Sequence, residues 1–442
     1  MPNTFDAFPT APAQRGLLSG ALAVAAMLAG CATAPPPPAT VPATPAATAP
    51  AAPAPAPVPE EDVPRAEAAS FAQWKQAFAP RALAAGISER TVRTVLPHVR
   101  LQRIVHLDRA QPEFTRTPWQ YLDSAVSPLR VKNGRAKMQQ HARALQAASQ
   151  RYDVPAPVIA AIWGMESNYG GNFGNYPVVD ALATLAFDGR RAAWAERELI
   201  AALRIIDNGD IDAERMIGSW AGAMGHTQFL PSVYLQYAVD ADGDGRRDIW
   251  GSIPDVTAST ANYLANSGWN GSEPWGVEVR LPAGFDYARA ELSTRQNSGA
   301  WAAEGVQAAS GQELPAMAGA SVIAPAGARG PAFMVGSNFR AILRYNNSVN
   351  YALGVSLLAQ QLAGGTGVQA DWPRELAPLS REQMRSMQNA LNARGFDAGS
   401  ADGVMGPATR SGLRQFQQSL GLPADGYPTQ ELLQKLQQTS AQ

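Results

Sequence analysis

The fold of this chain is set by the helix that ends in Trp163-Gly164-Met165-Glu166-Ser167-Asn168-Tyr169-Gly170. Apolar residues precede this stretch at helical spacing, and Glu166 follows Val158 by eight residues and Ile162 by four. Residues at these spacings share one face of a helix, so the pattern predicts a carboxylate on the face that packs toward the core. Asp153 is expected to cap the start of the helix, and the glycines after Tyr169 to end it.

A carboxyl group in that position has unusual chemistry. Burial beside Trp163 disfavours its charged form, so we expect the pKa of Glu166 to be raised. A carboxylic acid that is still protonated near neutral pH is suited to general-acid cleavage of a glycosidic bond. The alternative for such a residue is a glutamate at the edge of the helix face, paired with an arginine.

Length, charge and cysteine content restrict the class of protein. The chain has 442 residues and a formal net charge of −1, which suits two or three domains and gives no basic excess for nucleic-acid binding. Its single cysteine, Cys31, excludes an intramolecular disulfide and a metal cluster built on cysteine.

The N-terminal segment has the pattern of an export signal. An apolar run from Leu17 to Ala29 follows Arg15 and ends in Leu-Ala-Gly before Cys31. The run is too short to span a bilayer and has the length of a signal-peptide core. It resembles a bacterial lipobox, so residues 1–30 are interpreted as a lipoprotein signal peptide and Cys31 as the lipidated residue. Ala32, rather than Asp, then indicates the periplasmic side of the outer membrane. An ordinary signal peptide with an incidental cysteine is the alternative.

Residues 31–66 are predicted to be a tether. They consist almost entirely of Ala, Pro, Thr and Val, a composition that blocks helix formation and has little to bury. Such a segment would hold the folded part away from the membrane, with the lipid as the only membrane contact. A proline-rich ligand for a partner protein is the other interpretation.

Three separated motifs give the chain a family resemblance. They are Glu-Ser-x-Tyr-Gly at 166–170, Ser-x-Ala-Gly-Ala-Met-Gly-x-x-Gln-Phe-x-Pro-Ser at 219–232, and Arg-Tyr-Asn-x-Ser-x-x-Tyr at 344–351. Together they resemble the membrane-bound lytic transglycosylase B family, as does the segment at 111–114. The resemblance implies that Glu166 is the single catalytic acid and base, that Ser219 orients it and that Gln228 contacts the substrate. The remaining residues expected to bind or orient the substrate are Tyr121, Tyr169, Asn262, Tyr345, Asn346 and Tyr351. His226 lies where the family pattern varies and is interpreted as structural.

Residues 240–248 begin like an EF-hand loop. Asp240, Asp242 and Asp244 occupy the first, third and fifth positions and Gly245 the sixth, but the twelfth position is Gly251 instead of Glu. The resemblance implies that Asp255 closes the loop and that Arg246 contributes its backbone carbonyl. Two interpretations of the loop stay open: a site for a structural calcium ion, and an Asp/Gly-rich turn that binds no ion. No cofactor is expected for the chemistry itself.

The predicted fold class is mainly α. A lysozyme-like catalytic domain with a small strand-containing insertion is expected over 67–365, followed by a linker at 366–378. Residues 379–438, with Asp-Gly-x-x-Gly-x-x-Thr at 402–409, resemble a three-helix peptidoglycan-binding domain. The resemblance therefore implies non-hydrolytic cleavage of the bond from N-acetylmuramic acid to N-acetylglucosamine, with peptidoglycan strands as the partner and protein partners of the wall machinery undefined. A hydrolytic muramidase with Asp180 as second carboxylate, or a non-catalytic wall-binding lipoprotein, are the alternatives.

Overall fold

The computed structural model describes residues 65–109 and 116–438. Cys31, residues 31–64 of the predicted tether and the segment at 111–114 lie outside these residues, whereas residues 65–66 of the predicted tether belong to a helix. The described part is mainly helical, which confirms the predicted fold class. None of the helices in 65–109 and 116–438 is both long and apolar enough to cross a bilayer.

Fourteen helices precede the C-terminal module in the described residues: α1 (Arg65–Ala84), α2 (Glu89–Val95), α3 (Val105–Arg109), α4 (Pro118–Ala125), α5 (Pro128–Gln140), α6 (Ala142–Tyr152), α7 (Ala156–Ser167), α8 (Val178–Asp188), α9 (Ala192–Asp207), α10 (Pro231–Tyr237), α11 (Ile253–Asn266), α12 (Ser298–Ala303), α13 (Ser337–Tyr345) and α14 (Val349–Leu362). Helix α7 is surrounded by α5, α6, α11 and α14. The helix that ends in residues 163–170, predicted from the sequence, is therefore central.

Two small sheets interrupt the helices. The first pairs β1 (Tyr176–Pro177) with β2 (Ile217–Gly218), and the second has the antiparallel order β4-β3-β6-β5. Its strands are β3 (Gly276–Arg280), β4 (Gln307–Ala308), β5 (Ser321–Ile323) and β6 (Ala332–Val335). Met334 on β6 pairs with Val277 on one side and Val322 on the other. This sheet is the strand-containing insertion that the alternating residues of 277–281 predict.

The start of α7 differs from the prediction. Pro155 occupies the N-cap position without a side-chain cap, and Asp153 instead ends α6 in a left-handed conformation with φ 55°. Asp153 is therefore a helix terminator rather than a cap. As predicted, α7 ends before the glycines that follow Tyr169. It stops at Ser167, and Asn168 and Tyr169 both have positive φ.

Residues 128–152 form two helices rather than one, because the chain breaks at His141 between α5 and α6. The His141 ring lies edge-on against Trp163 of α7, with 5.6 Å between ring centroids. A change of direction at His141 thus lets both helices pack against α7, a tertiary requirement that helical periodicity does not reveal.

The C-terminal module has three helices, α15 (Arg381–Asn392), α16 (Pro407–Ser419) and α17 (Gln430–Gln438). Ser380 begins the first with a capping box completed by Gln383. Met387, Leu391 and Leu413 are fully buried in a core of the module's own. Thr409 lies inside α16 rather than capping it, and its hydroxyl donates to the carbonyl of Ala398.

Candidate active site

Glu166 lies in the last turn of α7, and its closest described partner is a tyrosine from α14. The hydroxyl of Tyr351 donates a hydrogen bond to Oε1 of Glu166. Glu166 is partly exposed, whereas Tyr351 is buried. One oxygen of the carboxyl group is therefore fixed by a side chain that the core holds in place.

The surroundings of Glu166 favour its protonated form. Burial raises its pKa, and the hydrogen bond from Tyr351 lowers it by a smaller amount, which leaves the pKa at about 7. Burial and the neighbouring Glu166 charge raise the pKa values of Tyr345 and Tyr351 well above their usual value, so both phenols stay protonated. A carboxyl group with a pKa near neutrality can give a proton and later take one back.

Trp163, one turn before Glu166, is held by a histidine. Its indole Nε1 donates to Nδ1 of His226 at 3.1 Å, and the two rings are stacked. Burial lowers the pKa of His226 to about 4, so the ring is neutral and its Nδ1 can accept. A Cβ on Gly170 would lie 2.3 Å from this ring, which explains the glycine after Tyr169. His226 is thus structural, as the sequence interpretation had it.

Tyr169 does not reach the cleft, contrary to its predicted role in substrate binding. It is 5% exposed, and its hydroxyl donates to the carbonyl of Arg130 at 3.1 Å. A Cβ on Gly134 would lie 2.2 Å from its hydroxyl oxygen, and one on Gly164 would lie 2.5 Å from Cζ. These two glycines form a socket for the phenol ring, so Tyr169 joins α5 to α7.

Ser219 and Gln228 lie on the loop between β2 and α10. The hydroxyl oxygen of Ser219 accepts the backbone N–H of Ala223 at 3.1 Å, and no hydrogen bond joins Ser219 to Glu166 among the described residues. Tyr351 is the described residue that donates a hydrogen bond to Glu166, and the orientation of Glu166 by Ser219 stays a prediction. Gln228 has φ 51°, and its amide nitrogen donates to the carbonyls of Phe173 and Gly225. Only its amide oxygen remains to face a ligand.

The predicted aromatic and amide groups of α13 and α4 lie near Tyr351. Tyr345 donates its hydroxyl to the carbonyl of Thr227 at 2.6 Å, which ties α13 to the Gln228 loop. Asn346 is exposed at the end of α13. Tyr121 of α4 is partly buried, and its Cε1 is 3.4 Å from where a Cβ on Gly354 would be. Their roles in binding the substrate stay predictions.

Asn262 acts as a brace. Its Nδ2 donates to the carbonyl of Tyr237 at 2.9 Å, and its Oδ1 accepts from Asn266. It therefore joins α10 to α11. The neighbouring Tyr263 donates to the carbonyl of Arg344, which joins α11 to α13. Asn262 thus links helices, and its role in binding or orienting the substrate stays a prediction.

Asp180, the candidate second carboxylate, accepts hydrogen bonds on both of its oxygens. Its oxygens accept the backbone N–H of Arg100 at 3.2 Å and Nε2 of Gln102 at 3.1 Å. Burial is the main reason that the pKa of this carboxyl is raised. Asp180 fastens the segment before α3 to α8, and Pro177, rather than Asp180, is at the N-cap of α8.

The acidic loop brings together three of its five predicted ligands. Carboxylate oxygens of Asp240, Asp242 and Asp244 lie within 4.8 Å of one another. Asp255 is buried outside this group, and its carboxylate accepts the backbone N–H groups of Ala241 and Asp248, each at 2.7 Å. Asp255 therefore lies outside the carboxylate cluster and holds the ends of the loop, and its role as a ligand stays a prediction.

The remaining predicted contributor to the acidic loop is Arg246. Its backbone N–H donates to Oδ1 of Asp244 at 2.8 Å, and its carbonyl stays available as an oxygen donor. The three clustered carboxylates offer the hard oxygen ligands that calcium prefers. The donor set present therefore fits a calcium ion held by Asp240, Asp242 and Asp244.

Sequence reasoning placed Tyr351 among the sugar-binding residues and missed its direct bond to Glu166. The two residues are separated by 185 positions, so no local pattern links them. The available signal was that Tyr351 ends a motif which resembles an active-site segment. Arg190 and Arg191 were also read as part of a helix, but they precede α9 and pair with buried Asp108.

Comparison with known proteins gives the following matches. The Transglycosylase SLT domain family model matches residues 70–360, and a peptidoglycan binding domain model matches 380–436. Membrane-bound lytic murein transglycosylase B of Escherichia coli (strain K12) is 36% identical over 250 residues, which is 55% of this chain and 66% of that protein, just under two thirds of its length.

Solved structures of similar chains extend the match. SltB3 from Pseudomonas aeruginosa, in complexes with NAG-anhNAM-pentapeptide and with NAG-NAM-pentapeptide, is 53% identical with a TM-score of 0.80, covering 83% of this chain and 99% of that one. The Escherichia coli lytic transglycosylase Slt35 in complex with calcium is 30% identical with a TM-score of 0.57, covering 65% of this chain and 92% of that one.

Proposed function

This chain belongs to the Transglycosylase SLT domain family, whose model matches residues 70–360, and from that premise we propose that it is a peptidoglycan lytic transglycosylase. Its substrate is the glycan strand of peptidoglycan, and it cuts the bond from N-acetylmuramic acid to N-acetylglucosamine. The C-terminal peptidoglycan-binding domain, matched at 380–436, holds the enzyme on the wall. The related SltB3 was solved with a disaccharide-pentapeptide and with its anhydro form.

Glu166 serves as the only acid and base of the reaction. In its protonated form it gives a proton to the oxygen that leaves with N-acetylglucosamine. As a carboxylate it then takes the proton from the muramic 6-hydroxyl, and that oxygen attacks the anomeric carbon of its own ring. The product is a 1,6-anhydromuramic end, and no water is consumed. Attack within one sugar avoids the entropy cost of positioning a separate water molecule.

The observation that carries this mechanism is the pairing of Glu166 with Tyr351. A pKa of about 7 lets the same carboxyl group be acid and base near neutral pH. Hydrolytic glycosidases usually place a second carboxylate opposite the first. Asp180, the candidate for that role, uses its oxygens to hold Arg100 and Gln102, so the geometry favours the transglycosylase over the muramidase.

The experiment that tests the proposal is mass spectrometry of peptidoglycan digested by the purified protein. Fragments with 1,6-anhydromuramic ends, lighter than reducing ends by one water, support the proposal. Reducing ends would replace it with the muramidase. Intact glycan that still retains the protein on sacculi would indicate a non-catalytic wall-binding lipoprotein.

The acidic loop supports a second proposal, which concerns a structural calcium ion. Asp240, Asp242 and Asp244 would hold the ion, with the backbone carbonyl of Arg246 as a further oxygen donor. Bound calcium would supply charge compensation for the three carboxylates and take no part in bond cleavage. Calorimetric titration of the chelator-treated protein tests this: one calcium per chain is expected, and the absence of binding at millimolar calcium would refute it.

Attachment to the outer membrane through a lipid on Cys31 is also a proposal, and it rests on the lipobox-like Leu-Ala-Gly-Cys sequence. Expression in a Gram-negative host with a clickable fatty acid should label the protein, and Cys31→Ala should remove the label. Labelling that survives the substitution would disprove lipidation at this residue.

A further inference from the structure

The linker between the two modules makes specific contacts with α4. Trp372 packs against Trp119 with 6.3 Å between ring centroids. The guanidinium of Arg374 donates to both carboxylate oxygens of Asp123, at 2.7 and 2.9 Å. Both partners lie on α4, so the linker is in contact with this helix over one full turn.

The ends of this contact segment are fastened as well. The carboxylate of Glu278 on β3 accepts the backbone N–H groups of Gln369 and Ala370, each at 2.7 Å. Glu375 pairs with Arg329 of the insertion. Residues 369–375 therefore form a strap, held by the insertion at both ends and by α4 in the middle.

The strap and helix α14 contact opposite faces of α4. Trp119 and Asp123 are four residues apart and share one helix face, whereas Tyr121 is two residues from each and points to the other side. On that side, Tyr121 lies against Gly354 of α14, the helix that also carries Tyr351, whose hydroxyl donates to Glu166. Helix α4 is thus enclosed between the strap and α14.

A helix of this size depends on such packing. Helix α4 has eight residues, and helices this short are marginal without tertiary contacts. The side chains of Arg374 and Asp123 are each more than half exposed, so their ion pair contributes little alone. The indole of Trp372, partly buried against Trp119, contributes the larger apolar contact.

We infer that Trp372 and Arg374 are positioning residues for glycan cleavage, because the strap holds α4 and its Tyr121 against α14, the helix that carries Tyr351 to Glu166. This inference rests on the proposed function. Residues 369–375 then belong to the working catalytic domain and are more than a connection to the wall-binding domain.

The test uses the full chain and measures kcat and KM on soluble, uncrosslinked glycan strands. Trp372→Ala is expected to lower kcat/KM about tenfold, mostly through KM, and Arg374→Ala about threefold. Arg329→Ala is the matched control, since it removes an ion pair of the strap without touching α4, and it should change neither constant. Binding to intact sacculi should be unchanged in all three variants.

A double-mutant cycle separates positioning from general weakening. In a Tyr121→Leu background the effect of Trp372→Ala should fall below about twofold if the strap acts through Tyr121. The full tenfold loss in that background would overturn the inference. If Trp372→Ala does not fold, Arg374→Asp combined with Asp123→Arg should recover the activity lost by Arg374→Asp alone, and no recovery would also overturn it. Activity of the unmodified protein tests the proposed function independently of these ratios.

Discussion

Glu166 and the acidic loop around Asp240, Asp242 and Asp244 contain the same functional group in opposite surroundings. Glu166 meets apolar side chains and one phenol, and its pKa is raised to about 7. The loop carboxylates meet one another, solvent and backbone N–H groups, for example Asp240 with Gly243 and Gly245. A desolvated carboxyl group can exchange protons near neutral pH, whereas a solvated cluster of carboxylates offers several oxygen ligands to a cation.

The comparison also shows how each group is held. Glu166 is fixed by a side chain from a distant helix, so its position depends on the packing of α14 against α7. The loop carboxylates are fixed mostly by N–H groups within the loop itself. We therefore expect substitutions in the first region to change catalysis and substitutions in the second to change stability.

The largest expected effect is that of Glu166→Gln. The amide keeps the shape of the side chain but cannot donate the proton, so turnover of glycan strands should fall about 10³-fold.

Because the pKa of the native carboxyl is raised above its unfolded value, native stability falls as pH rises from about 4.5 to about 7. The amide removes this loss, so the variant should unfold at a higher temperature than the wild type near pH 8 and not near pH 4.

Glu196→Gln is the matched control for that variant, since Glu196 forms a surface ion pair with Arg81. It should leave turnover unchanged. Cleavage that persists in Glu166→Gln would assign the chemistry to another group.

Tyr351→Phe should have the next largest effect. It removes the hydrogen bond that lowers the pKa of Glu166, so that pKa should rise above 7. Since the protonated acid starts the reaction, the alkaline limb of the kcat/KM profile should move to higher pH. Loss of a hydrogen bond to a charged group should also lower turnover about tenfold. A pH–rate profile with an unmoved alkaline limb would separate Tyr351 from the titration of Glu166.

Asp180→Asn should affect stability more than chemistry. The variant weakens the contact between α8 and Arg100, so the free energy of unfolding should fall by about 1 kcal/mol. Turnover should stay within about threefold of wild type, because the transglycosylase reaction needs no second carboxylate. A loss near that of Glu166→Gln, measured on folded protein, would favour the muramidase.

The smallest expected effect on activity is that of Asp244→Asn. It removes one of three clustered carboxylates, so the rise in melting temperature on adding calcium should shrink or disappear. Turnover at saturating substrate should not change. Asp286→Asn, at an exposed cap outside the loop, is the control and should keep the wild-type calcium response.

Much of the fold followed from local patterns. The end of α7, the cap of α2 at Ser88 and the capping box at Ser380 all depend on residues within a few positions of one another. The strand at 276–280 followed from alternation. These features were predictable because the interactions that stabilise them are short in sequence.

Other features depended on distant residues. Glu198 lies among charged residues in the sequence, but it is 6% exposed and accepts two hydrogen bonds from Ser232. Tyr169 looked like a cleft residue, but the glycines at 134 and 164 leave a space that its ring fills. In both cases a deciding partner lies far away in the sequence. Ser232, for example, is 34 positions from Glu198.

The sequence by itself determined that a carboxyl group would sit on the apolar face of a central helix, since helical spacing alone places Glu166 beside Ile162. It also determined, by resemblance, the family and the wall-binding module. Only the tertiary structure decided which group controls that carboxyl. Tyr351 reaches Glu166 because α14 packs against α7, and the free energy of that contact depends on the whole core rather than on any local motif.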